Sequence, residues 1–333
     1  VTEVGAVVIG RNEGERLVRS LASLRALNVP IVYVDSGSTD GSVVAARAAD
    51  VDVIDLDRNQ PFTAARARNA GFARLRELHP DLNYVQFVDG DCELSAGWID
   101  GGTAFLNGHG EIAIVAGQLV ERDRNASVYN TLCALEWERP TGEISACGGI
   151  FLVRVKAFAD VGGFNPDVPA AEDDELCLRL RASGWKVWSL DAEMARHDAA
   201  MTRFSQWWRR AKRAGYAYAQ GAAMHGHTPD RHFVRDVRRI WFWALIVPLM
   251  AVLPAWWTRG WSLLVLLGYP LLAVRIFASG RRRGWSAGDA RLYAIFTVLG
   301  KWPGLLGVLE FLRRRRGDKP HRTIEYKGET KPA

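Results

Sequence analysis

At 333 residues the chain exceeds one average domain and has room for two or more units. Its net charge is +6, and the arginines crowd around two long apolar runs in the C-terminal third; that pairing points to a membrane surface and away from nucleic acid, and neither zinc-finger spacing nor an RNP-type aromatic motif is present. The four cysteines are scattered without a CxxC, which excludes a disulfide framework and suits a reducing compartment, and the apolar stretch 4–10 is too short, and too soon followed by Arg11 and Glu13, to read as a signal peptide.

In chain order, residues 4–10 (VGAVVIG) read as a buried strand, 15–27 as a helix on the spacing of Leu17, Leu21 and Leu24, and 31–35 (IVYVD) as a second strand. A Ser/Gly/Asp loop, a helix over 42–49 and a short strand over 51–56 follow. Strand alternating with helix predicts a parallel sheet wrapped by helices. Ligands bind such sheets beyond the carboxyl ends of the strands, where Asp35 falls. No GxGxxG and no P-loop follows the first strand, which argues against a dinucleotide enzyme. The loop after the second strand suits a nucleoside instead, with Asp35 accepting from a base N–H or a ribose hydroxyl; taken alone, Asp35 reads equally well as an Asx-turn or a helix cap.

Residues 63–72 open a helix on which Arg66 and Arg68 do not share a face. The apolar run 84–88 then reads as a strand ending in Asp89-Gly90-Asp91. Glycine lets the backbone turn there and keeps a side chain out of the way of a ligand. Asp89 and Asp91 can converge on one hard cation, Mg²⁺ or Mn²⁺, which prefers oxygen ligands. Alone, such a triplet is more often a solvated acidic turn.

Together, VGAVVIGRNEGERLVRSLASL, VYVDSGSTDGS, ARARNAGF and VQFVDGDCEL resemble the family 2 glycosyltransferases of the GT-A fold. The resemblance implies a Rossmann-like mixed α/β sheet flanked by helices over residues 1–230. It implies that Asp35 contacts the nucleotide base, that Arg68 and Asn69 line the nucleotide pocket, and that Asp89 and Asp91 handle ribose and metal-diphosphate. Many relatives carry Asp-Asp before the Gly-Ser of the second-strand loop; here the second position is Ser36.

Beyond Asp91, a helix is expected over about 96–107 and a strand over 112–117. The block 146–154 with 161–165 is similar to the family's second half, where Gly148 and Gly149 would let the backbone approach the sugar. Residues 172–180 form an amphipathic helix whose acidic start is favoured by the helix dipole alone. The family carries a Glu-Asp pair at this place, so the resemblance implies Asp173 as catalytic base, with Glu172 the alternative. A last strand is expected over 186–190. His197 lies beyond it; a lone histidine is more often structural, while the resemblance puts one near the metal or diphosphate in some GT-A enzymes. The basic, aromatic stretch 204–213 reads as an interfacial amphipathic helix and lacks the tryptophan after arginine of processive polysaccharide synthases.

The apolar runs 240–257 and 261–278 are of nearly spanning length and joined by a very short linker, which predicts a membrane hairpin. Arginines on both flanks place both ends, and with them the catalytic domain, in the cytoplasm at the inner membrane. Residues 287–316 are expected to form interfacial helices, interrupted at Lys301-Trp302-Pro303-Gly304, and 317–333 a polar tail. The activity implied is inverting transfer of a sugar from a nucleoside diphosphate, a UDP-sugar by expectation, to a hydroxyl of a lipid-linked or glycan acceptor. Two rivals are a nucleotidyltransferase, disfavoured because no triphosphate-binding loop follows the first strand, and a non-catalytic membrane-docked scaffold of a polysaccharide assembly.

Overall fold

A computed structural model describes residues 3–317; the expected polar tail lies, from residue 318, outside the described residues. The described chain divides into two units, one holding residues up to 124 together with 136–200, the other residues 125–135 and those from 201 on.

The first unit is built on one sheet. In chain order its elements are β1 (Val4–Gly10), α1 (Glu15–Arg25), β2 (Ile31–Asp35), α2 (Ser42–Ala48), β3 (Asp52–Asp55), α3 (Ala64–Leu78), β4 (Tyr84–Asp89), β5 (Cys92–Leu94), α4 (Trp98–Gly108) and β6 (Ile112–Glu121). After α5 (Val128–Trp137), most of which belongs to the second unit, come β7 (Gly142–Glu143), β8 (Phe151–Arg154), α6 (Val155–Asp160), α7 (Glu172–Ala182) and β9 (Lys186–His197). The sheet order is β3-β2-β1-β4-β8-β6-β9-β5, with β7 also on β9. Strands β1 to β4 run parallel, and β8 is antiparallel to both of its neighbours. Strands β1, β2 and β4 are buried almost end to end, the pattern of parallel strands covered on both faces. Thr63 caps α3 by accepting from the Arg66 backbone N–H, which sets where that helix begins.

The register aligns the functional ends of these strands. Gly10 pairs with Asp35, and Ile9 with Asp89, so both aspartates stand at the carboxyl edge. Two strands are longer than the sequence suggests. β6 continues past Gly117 to Glu121, and β9 past Leu190 to His197, where Gln118 to Glu121 pair with Glu193 to His197. Exposed Asp191, Glu193 and Arg196 interrupt the apolar run there and conceal a strand in which Met194, Ala195 and His197 are buried.

In the second unit α8 (Phe204–His225) packs along α13 (Lys301–Arg316). A Cβ on Gly215 would lie 2.1 Å from the Gly304 carbonyl oxygen, and one on Gly307 2.0 Å from that of Lys212, so only glycine permits this backbone approach. Lys212 pairs with Glu310 across the same contact. This packing is why α8 groups with the C-terminal helices, although the sequence analysis assigned residues up to 230 to the first unit. Between them lie α9 (Val234–Trp241), a π-turn over Phe242–Ile246, α10 (Val247–Val252), a 3₁₀ segment Trp261–Leu267, α11 (Gly268–Arg282) and α12 (Ala287–Leu299). Tyr216, Ile240, Leu305, Val308 and Phe311 form the core of this unit.

Among the described residues, the helices long and apolar enough to cross a membrane are Trp261–Arg282 and Ala287–Arg316. The run 240–257 is not one of them, because the helical backbone stops at Val252, ahead of Pro254. Residues 287–316, expected to be interfacial, instead form a nearly continuous helix. Pro303 falls in the first turn of α13, where its missing N–H does little harm.

Candidate active site

Arg68 is the residue on which the site is assembled. It projects from α3, is 3 % exposed, and donates to Glu172 Oε1 at 2.5 Å and to Asp89 Oδ1 at 2.7 Å. One guanidinium thus ties the end of β4 to the start of α7. Burial opposes its charge, but Asp89, Glu172 and Asp173 outweigh that and raise its pKa above the ordinary arginine value. The backbone beside this pair must be bare. A Cβ on Gly149 would stand 2.8 Å from Arg68 Nη2 and 3.1 Å from Asp89 Oδ2, while Gly148 turns the chain with φ +74°.

The arrangement separates the two carboxylates proposed as base. Glu172 is buried and committed to Arg68. Asp173 is half-buried and makes no ion pair among the described residues. Burial first, and then the neighbouring Glu172 charge, push its carboxyl up to about 6, against the pull of Arg68. Of the remaining acids in that turn, Glu175 pairs with Arg179 at 2.7 Å, and Arg179 donates to the carbonyls of Val161 and Gly163; this clamp is structural.

Asn69 is also tied to backbone. Its Nδ2 donates to Phe164 O at 2.7 Å and its Oδ1 accepts from Phe164 N at 2.9 Å, so it shapes the wall of the site through the 161–164 turn. Asp35 is 2 % exposed and holds its own loop. It accepts from Ser38 N at 2.7 Å, Ser38 Oγ at 2.5 Å and the Tyr33 hydroxyl at 2.9 Å. Burial, then the charge of Asp35, push the Tyr33 hydroxyl far above its usual range, which keeps it a donor.

Asp91 and His197 come together where β5 meets β9. Asp91 Oδ2 lies 3.4 Å from His197 Nε2. Asp91, Cys92 and His197 each offer a ligand atom within 4.8 Å of the others. The Asp91 carboxylate oxygen suits Mg²⁺ or Mn²⁺, and the His197 imidazole adds a nitrogen donor that a transition ion such as Mn²⁺ accepts more readily than Mg²⁺. Cys92 suits it less: burial pushes its pKa up, and its thiol donates to Asp91 Oδ1. Asp89 is not in this group, since its Oδ1 is held by Arg68. The donor set therefore fits a divalent cation such as Mn²⁺, with Asp91 and His197 as the residues that would hold it. His197 is in the strand end itself, paired with both Cys92 and Glu121. Glu121, whose carboxylate reaches His197 Nδ1 at 3.4 Å, had not been expected in the site; the apolar Leu119 and Val120 beyond Gly117 were the signal that could have extended β6 to it.

Residues 6–161 match the family model described as Glycosyl transferase family 2. The chain is 28 % identical over 246 residues to the pre-mycofactocin glycosyltransferase of Mycobacterium tuberculosis, covering 69 % of this chain and 49 % of that protein. It is 27 % identical over 300 residues to an N-acetylglucosaminyl-diphospho-decaprenol L-rhamnosyltransferase of the same organism, covering 70 % of this chain and 94 % of the relative. A succinoglycan biosynthesis protein of Rhizobium meliloti is 28 % identical over 198 residues, 53 % of this chain and 56 % of that one. The chain thus spans about half the length of the mycofactocin relative. Among solved structures, a mannosyltransferase from Pyrobaculum calidifontis in complex with GDP-Man and Mn²⁺ superposes with a TM-score of 0.57 at 18 % identity, over 93 % of this chain and 87 % of that one, which establishes the fold. The match to the Glycosyl transferase family 2 model thus lies on the sheet unit, and that sheet is a GT-A fold.

Proposed function

We propose that the chain transfers a sugar from a nucleoside diphosphate, a UDP-sugar, to a hydroxyl of a lipid-linked or glycan acceptor, inverting the anomeric configuration, at the cytoplasmic face of the inner membrane. The observation that carries this reading is the division of labour around Arg68. Glu172 and Asp89 neutralise that guanidinium, while Asp173, one residue along the same helix, keeps its carboxylate out of any ion pair and is pushed up to about 6. A base whose pKa lies near the working pH removes the acceptor proton effectively as the hydroxyl attacks the anomeric carbon.

The other residues bind and orient. Asp35 and its Ser38 loop stand at the end of β2, where a base and ribose would lie, and Asp89 is available to the ribose through the oxygen not bound by Arg68. Gly148 and Gly149 keep the wall beside Asp89 thin enough for a sugar. Asp91 and His197 would hold Mg²⁺ or Mn²⁺, and that ion, when bound, offsets the charge growing on the departing diphosphate. The two helices able to cross a membrane, and relatives named for decaprenol-linked and succinoglycan chemistry, support a membrane-borne acceptor in envelope or exopolysaccharide assembly.

The test uses detergent-purified protein with Mn²⁺ and a panel of nucleotide sugars. Release of nucleoside diphosphate is followed with and without bacterial lipid extract, beside Asp91→Ala and Asp173→Asn. Release from one donor, stimulated by lipid and lost in both variants, is the expected result. An absence of both nucleotide binding and release would replace this reading with a scaffold role.

A further inference from the structure

The strand register makes His197 the meeting point of three strands. It pairs with Cys92 on β5 and with Glu121 on β6. Directly paired residues project to the same face of a sheet, so Glu121 stands beside the imidazole by construction. Its carboxylate is fully buried, with Oε2 3.4 Å from His197 Nδ1. The Ala199 backbone N–H donates to both Glu121 oxygens at 3.3 Å, which fixes the carboxylate's orientation. Trp137 meets the other side of the ring edge-on, with centroids 4.3 Å apart. The imidazole is therefore held from three directions, and its second nitrogen, Nε2, faces Asp91 Oδ2 at 3.4 Å.

We infer that Glu121 is a positioning residue for the cation site: it accepts the Nδ1–H of His197 and so leaves the Nε2 lone pair directed at the place where Asp91 would share a divalent cation. Ligating histidines are commonly oriented in this way, by a carboxylate or carbonyl on the nitrogen that does not bind the metal. Glu121 also accepts from the Asp123 backbone N–H at 3.5 Å. Backbone donors such as these would be met by a glutamine at less desolvation cost than by a buried carboxylate. The inference rests on the reading that Asp91 and His197 hold the cation.

The test separates the two. In the wild-type protein, long-range ¹⁵N–¹H NMR of His197 should show the proton on Nδ1, with the Nε2 resonance moving on addition of Mg²⁺. Mn²⁺ affinity, read from the EPR signal of the free ion without any sugar donor, should fall about 10–100-fold in Glu121→Leu and by much less in Glu121→Gln, which keeps an acceptor oxygen. A wild-type tautomer with the proton on Nε2 overturns the inference, and it decides the matter even where Glu121→Leu does not fold. A Mn²⁺ affinity reduced by His197→Ala but unmoved by a folded Glu121→Leu also overturns it while leaving the cation site standing. Wild-type protein that binds no Mn²⁺ overturns both.

Discussion

Arg68, Asp91, Glu121 and Glu172 lie buried in the sheet unit, whereas Leu253, Trp256, Trp257 and Trp261 stand exposed in the helical one. Each placement is costly in water unless something compensates. In the sheet unit the compensation is internal: Arg68 is shared between Glu172 and Asp89, and His197 lies between Glu121 and Asp91. In the helical unit none of the described residues covers Trp256, which is 89 % exposed, or Trp257, which is 80 % exposed; a contiguous apolar surface of that kind calls for a partner other than water. Tryptophan, with an apolar body and one N–H, suits the boundary between lipid and water. The first unit therefore encloses its polar groups in partners of its own, and the second leaves apolar groups exposed, as a surface facing a bilayer would.

The largest effect should come from Asp173, the acid beside Arg68 that makes no ion pair among the described residues. Asp173→Asn should lower turnover by about 10²–10⁴-fold while nucleotide binding is retained, since the change removes a proton acceptor and little else. Loss of nucleotide affinity instead would mean that Asp173 belongs to the same structural network as Glu172. Next is the network itself. Arg68→Met leaves Glu172 buried and uncompensated and should cost about 3–5 kcal/mol in a urea melt. Adding Glu172→Gln should recover part of that, because it removes the stranded charge; an undiminished loss in the double variant would show that packing and not charge is what Arg68 supplies.

What the sequence revealed of these two regions depended on range. Strands β1, β2 and β4 are short apolar runs, and Asp35, Asp89 and Asp91 follow them within a residue or two, so local pattern sufficed. The Arg68–Glu172 pair spans 104 positions and no pattern within α3 or α7 announces it. The family resemblance named Arg68 and Asn69 together, but only coordinates show that one binds carboxylates and the other the Phe164 backbone. Strand β9 was cut short because charged side chains broke the apolar run, which concealed the place of His197, and β6 was cut short at Gly117, which concealed its neighbour Glu121. In the second unit hydropathy counts side chains and not backbone hydrogen bonds. It therefore overextended the run that stops at Val252 and divided the one that continues through Pro303. The close approach of α8 to α13 depends on Gly215 meeting Gly304, a fact about two residues that neither one shows alone.

The helical unit offers the next test. Trp256→Ser with Trp257→Ser should weaken partition of the protein onto anionic vesicles about a hundredfold, since each ring removes well over 100 Å² of apolar surface from contact with lipid. Donor binding by the sheet unit should be unaffected. Unchanged partition would move the membrane contact away from these rings and toward the arginines that flank them.

The smallest expected effect returns to Asp173, and its sign is opposite to what a lost contact would give. The folded-state pKa is raised, from 3.8 to about 6, so the native state favours the protonated acid. That contribution to stability is complete below the unfolded-state value and is lost as the pH rises through about 6. At neutral pH the ionised carboxylate is therefore a burden on the fold. The full shift would correspond to about 3 kcal/mol, and the partial exposure of the group brings the expectation to about 1–2 kcal/mol. Asp173→Asn, neutral at every pH, should accordingly be more stable than the wild type at pH 7 by that amount. Thermal melts across pH should show the gap opening between about pH 4 and 6, flat above that range and absent below it. A gap of constant size would trace the gain to packing. A gap that opens in that window would identify Asp173 as a carboxylate kept charged at the expense of the fold, as a base that takes a proton from an acceptor hydroxyl has to be.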